Sequence, residues 1–108
     1  MNIPIEYDFM LANKGLDLSD LGVSNFALLR TDALVAVSIL QVALIPVLGG
    51  DVYLKNGGRI ETAYANWYVE PRDGESAGSF AERSCIETLA YINAYPASDA
   101  LFALVIDR

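Results

Sequence analysis

Two places in this sequence gather side chains that do chemistry. One is Cys85, with Arg83 and Ser84 before it; a nearby cation lowers a thiol's pKa and frees the thiolate as a nucleophile. The other is the run Glu70, Asp73 and Glu75, with Arg72 inside it; paired carboxylates act as acid and base in hydrolysis, or as oxygen ligands to a cation. Neither set is completed. The chain has no histidine, which removes the usual neutral-pH base and the Ser–His and Cys–His pairs. Cys85 shares an apolar helical stripe with Ala81, Leu89 and Ile92, so it reads as core. The acidic run lacks EF-hand spacing. Gly49-Gly50 and Gly57-Gly58 lack phosphate-loop spacing and read as backbone devices. No catalytic, cofactor-binding or metal-binding residue is assigned. A small carboxylate-based enzyme built on the acidic run stays open as an alternative, as does a subunit of a larger assembly.

The elements that would position these residues belong to a chain of 108 residues, a length that suits one domain spanning 1–108. Hydrophobic residues make up 54% and charged residues 19%, enough apolar content to fill a core. The net charge of −7 argues against nucleic acid and against an anionic membrane surface, and it suits a basic protein partner. A lone cysteine fits a reducing compartment, and the first ten residues carry no basic, apolar leader, so a cytoplasmic location is expected. The longest apolar stretch, residues 33–48, is interrupted by Ser38, Gln41 and Pro46 and is short for a membrane span. A monomer or weak homo-oligomer is expected.

Along the chain, a helix is expected from Ile5 to Lys14, stopped by Gly15. Residues 16–24 read as loop, and residues 25–30 as a further turn of helix. Thr31 is a good N-cap for an apolar helix running to about Ala43, one that other elements should surround. Residues 51–55 and 59–64 read as a β-hairpin. A three-residue loop, Asn56-Gly57-Gly58, would pair Leu54 with Ile60 and Val52 with Thr62. Ser79 and Glu82 suggest a capping box for a helix from Phe80 to Tyr95, stopped by Pro96. Residues 101–106 read as a central strand. The expected fold class is α+β: N-terminal helices, a hairpin, one long helix and a C-terminal strand, with a small, mostly antiparallel sheet and helices packed on it.

With no chemistry assigned, binding remains. Interfaces favour aromatic and arginine anchors within a polar rim, and the best local concentration is Tyr53, Tyr68, Glu70, Arg72, Asp73 and Glu75. Trp67 sits in the middle of that region. A bulge near Ala65-Asn66, shaped by Asn66, would turn Trp67 inward beneath the last helix.

The segments NFALLR (25–30), GGDVY (49–53) and YANWY (64–68), with Glu75, Arg83-Ser84 and Tyr91-Ile92, resemble the Immunity protein 40 family. The resemblance spans about residue 10 to 105. It implies a bacterial polymorphic-toxin immunity protein, encoded beside a toxin, that protects the producing cell by binding a toxin domain and catalyses nothing itself. It carries no toxin-contact residues across. The family pattern often has an acid where this chain has Ala65.

Overall fold

The structure, a computed structural model, describes residues 2–108. In chain order it contains helix α1 (Ile5–Lys14), strand β1 (Leu16–Asp17), a 3-10 turn (Ser19–Leu21), β2 (Phe26–Leu29), α2 (Arg30–Val42), β3 (Gly49–Asn56), β4 (Arg59–Tyr68), α3 (Ala77–Ala94) and β5 (Leu101–Val105). The five strands form one sheet in the order β1-β2-β5-β3-β4, and every neighbouring pair is antiparallel. This is the expected α+β fold, with β5 central.

The sheet separates two cores. On one face Leu28, Val52, Trp67, Phe102 and Leu104 meet Tyr7 and Leu11 of α1, Ala36, Val37 and Leu40 of α2, and Phe80, Cys85 and Ile92 of α3. On the other, Ala27, Tyr53, Leu101 and Ala103 are covered by Leu18, with Leu16, Val23 and Ile60 packed around them. The segment expected as plain loop thus contributes the edge strand β1 and roofs the second core.

Residues 26–29 are strand, not helix. Their register against β5, Leu28 opposite Phe102 and Leu29 opposite Leu101, places Leu28 in the main core, so tertiary pairing overrides a helix-prone tetrapeptide. Asn25 helps, because its side-chain amide donates to the Leu104 carbonyl at 2.8 Å while its oxygen accepts from Phe26 N–H. Strand then passes directly into helix. Leu29 is the N-cap and has no capping side chain, so Thr31 is not the cap. Nor is α2 surrounded: Ala33, Ala36, Val37 and Leu40 are buried, but Val42 is 88% exposed. The helix closes with Ile45 N–H donating to the Leu40 carbonyl and Leu44 N–H to that of Gln41, the Schellman pattern, with Leu44 in the left-handed region at φ 56°. Helix α3 begins three residues before the expected capping box: Ser76 is its N-cap and accepts from Ser79 N–H.

The hairpin uses the two-residue loop Gly57-Gly58, with Asn56 opposite Arg59, Lys55 opposite Ile60 and Leu54 opposite Glu61. The expected three-residue register is wrong. Lys55, Asn56, Arg59 and Glu61 are all exposed, so the side chains of this tip exert little demand on register, and turn chemistry decides it, with Gly57 at φ 63°.

Candidate partner-binding surface

The two-residue loop also settles where the aromatics of β4 point. It puts Trp67 opposite Gly50, on the side of Val52 and the helices. An irregularity does interrupt β4, but it lies between Thr62 and Ala65 and adds two residues, because Tyr53 pairs with Thr62 and Val52 with Ala65. Two extra residues leave side-chain parity unchanged. Trp67 is therefore inward, as expected, but the hairpin register sends it there and not a one-residue bulge at Asn66.

Trp67 is held on several sides. Its indole N–H donates to Thr88 Oγ1 at 3.0 Å. Its ring stacks on Tyr91 at 4.5 Å between centroids and meets Phe102 edge-on. Beneath it lies Gly50, where a Cβ would sit 2.4 Å from the indole Cη2 and 2.5 Å from the Ala103 carbonyl oxygen. Only glycine allows this approach.

Anchoring Trp67 inward sends its neighbours outward. Tyr68 is 75% exposed on the opposite sheet face, in one cross-strand row with Gly49 and Val105. Asn66 and Asp51 pair in the next row of that face. Tyr64, inside the irregularity, is 90% exposed and has φ 56°. Its N–H donates to Thr62 Oγ1 at 3.0 Å. A bulky residue in the left-handed region is strained by about 1–3 kcal/mol, and this one displays its ring to solvent.

After Val69 the chain enters the acidic loop, which is braced. The Arg83 guanidinium grips the Glu75 carboxylate with two bonds, Nε to Oε2 at 2.7 Å and Nη2 to Oε1 at 2.9 Å. It also donates to Glu87 Oε2 at 2.6 Å and to the Glu70 carbonyl at 2.6 Å. Arg72 N–H donates to Glu75 Oε1 at 3.1 Å. The Arg83 hydrogen bonds hold the Glu75 carboxyl at about 2, against the opposing effect of desolvation.

The expected binding residues are therefore sorted by the fold. Tyr68, Glu70, Arg72 and Asp73 are exposed along one stretch of chain. Glu75 is turned into the Arg83 clamp, its side chain only 11% exposed. Tyr53 is 6% exposed in the second core and offers no surface to a partner. Tyr64 and Asn66, not among the expected residues, are exposed as well, Tyr64 because it lies in a displaced loop within the strand. The cavity beside Glu75 is lined also by Ser79, Glu82, Arg83 and Ile86, with neither Glu70 nor Asp73, and a carboxyl held at about 2 is poorly matched to proton transfer near neutrality. Cys85 is fully buried, its Sγ 3.5 Å from the Ile45 carbonyl oxygen. Burial pushes its thiol pKa up, opposite to the shift a nucleophile needs.

Residues 17–106 match the family model described as Immunity protein 40. The chain belongs to the Immunity protein 40 family. No curated protein and no solved structure matches it. Membership carries a toxin-neutralising role, and a role of that kind asks for a complementary surface and not for a reaction. No described helix is long and apolar enough to cross a membrane.

Most of the residues on which the Immunity protein 40 resemblance rests are structural in this chain. Besides Asn25, Gly50, Trp67, Glu75, Arg83 and Tyr91, Arg30 donates to the carbonyls of Ile92, Tyr95 and Ala97 at the end of α3, where a cation suits the helix dipole. Ser84 Oγ accepts from Val47 N–H and donates to the Ala81 carbonyl. Ala65, where the family pattern often has an acid, shares the covered face with Val52 and packs against the main core.

Proposed function

We propose that this protein neutralises a cognate toxin domain of a bacterial polymorphic or contact-dependent system by binding it in the cytoplasm, without catalysis of its own. The proposed surface is Tyr64 and Tyr68 with Glu70, Arg72 and Asp73, extended by Asp51 and Asn66. The observation that carries it is Tyr64, a tyrosine 90% exposed on a strained backbone, with a second exposed tyrosine, Tyr68, four residues on in the same strand. Rigid, exposed tyrosines beside polar groups are the usual anchors of a protein interface. With a net charge of −7 and with Glu70 and Asp73 free at its rim, the surface suits a basic toxin face, whose encounter it would accelerate.

The test is co-expression with the toxin domain encoded by the neighbouring gene. The wild-type chain is expected to restore growth and to co-elute with the toxin domain. Y64A/Y68A is expected to lose both while keeping its melting temperature, and E70K/D73K to slow association and reduce its salt dependence. Full rescue by both double variants would place the interface elsewhere. Failure of the wild-type chain to rescue or bind would refute the reading itself.

A second reading has one observation in its favour. A groove of about 430 Å³ runs between the start of α1 and α2, lined by Pro4, Val35, Ile39, Val42 and Ala43, with Glu6 its only charged residue. Ile5, Phe9 and Leu44 are further exposed apolar residues of this helical layer. Such a face suits a subunit of a larger assembly. Light scattering at micromolar concentration decides it: a clean monomer removes the self-assembly form of this reading, and a stable oligomer dispersed by V42E supports it.

A further inference from the structure

The chain has seven cationic side chains, and only two are lysines, Lys14 and Lys55. They lie 41 positions apart in sequence, yet both line one cavity of about 440 Å³ on the sheet face opposite the main core. Its apolar lining is Leu16, Ala27, Leu29 and Leu101; Leu29 is exposed and Leu16 half-buried, while Ala27 and Leu101 lie at its base with almost no accessible surface. The register explains why these four converge: Leu16 is opposite Ala27, Leu29 is opposite Leu101, and Ala27 and Leu29 share a face of β2. Lys14, from the last turn of α1, and Lys55, from the end of β3, add the charge. Gly57 and Asp99 complete the lining.

Among the described residues neither lysine enters an ion pair. The ion pairs are made by Arg83 and Arg108, and Arg30 is spent on three carbonyls. Two unpaired lysines thus line one largely apolar cavity on a protein of net charge −7. Against their two charges stands the one carboxylate of Asp99, so the cavity carries a single net positive charge. Its volume lies within the range of about 300–1,000 Å³ typical of small-molecule sites.

We propose that this cavity binds a small organic monoanion, a carboxylate carried on a short apolar body. The apolar body lies against Leu16 and Leu29, and the carboxylate is held by Lys14 and Lys55. Asp99 opposes binding and tunes the site to a single negative charge. The site is distinct from the proposed toxin-binding surface, and it stands whether or not that reading holds.

The probes are octanoate, octanamide as its neutral counterpart and octylammonium as its cationic one, each titrated below micelle formation into the full chain and followed by amide chemical shifts. Octanoate is expected to give saturable shifts centred on Leu16, Leu29 and Leu101, with octanamide much weaker and octylammonium weakest. K14Q/K55Q, at two exposed positions, is expected to weaken octanoate about tenfold. D99N is expected to strengthen it about two- to fivefold. The signs make the test decisive. Equal binding of octanamide, a preference for octylammonium, weakening by D99N, an unchanged affinity in K14Q/K55Q with an unchanged melting temperature, or shifts centred on the Pro4–Val42 groove would each overturn the proposal. So would the lack of any saturable shift.

Discussion

Removing the acceptor for the buried tryptophan, with Thr88→Val, should destabilise the protein, and the loss should depend on Trp67 being present. Trp67 Nε1 donates to Thr88 Oγ1 at 3.0 Å. Thr88 is fully buried, Trp67 is nearly so, and Tyr91 stacks on the ring at 4.5 Å, so no water reaches the N–H to replace the lost acceptor. Valine keeps the shape and nearly the helix propensity of threonine. A buried donor left without a partner costs about 1–3 kcal/mol, and exchanging the hydroxyl for a methyl returns at most about 0.8 kcal/mol. The expected net loss is about 0.2–2.2 kcal/mol. In a Trp67→Phe background the donor is gone, so the same Thr88→Val change should be neutral or slightly stabilising, giving a coupling energy of about 1–3 kcal/mol. Urea unfolding of the four proteins by far-ultraviolet circular dichroism measures it; fluorescence does not serve, since Trp67 is the chain's one tryptophan. An equal loss in both backgrounds would refute the reasoning and assign the effect to packing around Thr88.

Three further outcomes follow from the same geometry. Gly50→Ala should destabilise by at least about 2 kcal/mol, since its Cβ would stand 2.4 Å from the indole, whereas Gly58→Ala, with nothing within 4 Å, should change thermal unfolding by less than about 0.5 kcal/mol. Tyr64→Asn should leave stability unchanged or raise it by up to about 1 kcal/mol, because asparagine tolerates φ 56° better than tyrosine; a clear loss of stability in thermal unfolding would mean the tyrosine ring is held by contacts that its 90% exposure excludes. The Glu75 carboxyl titrates at about 2 in the folded chain, below an unfolded value of about 4.3. Its contribution is therefore complete above that unfolded value and is lost as pH falls towards 2. Glu75→Gln should flatten the acid limb of the urea midpoint between pH 4.5 and 2.5 (about the window those two pKa values define), and parallel limbs for the two proteins would show that the clamp contributes nothing to acid stability.

Where sequence pattern and burial agree, the elements were legible. α1, the long last helix and the apolar central strand all announce themselves through periodicity or composition. Helix starts were less so, because Leu29 and Ser76, not Thr31 and Ser79, occupy the cap positions: at α2 a strand runs straight into the helix and leaves no room for a capping loop, and at α3 two serines three positions apart both fit a cap. The strand at Phe26–Leu29 was invisible because its signal is its partner, β5, which lies 72 positions away in sequence at the Leu29–Leu101 pair. The hairpin register was misjudged by applying a hydrophobic-face rule to a tip that is wet on both faces. Of the six residues expected at a partner surface, Tyr68, Glu70, Arg72 and Asp73 are exposed. Tyr53 resembles them in sequence and differs only in lying under the Leu18 roof, a contact between segments that no local pattern encodes.

The segment Tyr64–Tyr68 combines two roles that usually fall to separate parts of a protein. Trp67 fastens it to α3 through Thr88 and Tyr91, and strand alternation then forces Tyr68 to the other face, while the two-residue irregularity pushes Tyr64 outward without reversing that alternation. The arrangement presents aromatic side chains from a backbone already fixed by the core, which lowers the ordering cost of binding. It also separates what can vary from what cannot. Asn25, Arg30, Gly50, Trp67, Arg83 and Ser84 hold one element to another and have partners inside the molecule. Tyr64, Tyr68, Glu70 and Asp73 have none of that role. In the proposed interface, a change of toxin can thus be met by substitution at Glu70 and Asp73 while the first group keeps the fold. Tyr64 and Tyr68 share the resemblance segment 64–68 with Trp67, so in the proposed interface they would be the common anchor and Glu70, Arg72 and Asp73 in the loop beyond would carry partner specificity; a graft of those three positions, leaving Trp67 and the Arg83 clamp untouched, should shift recognition from one member to another.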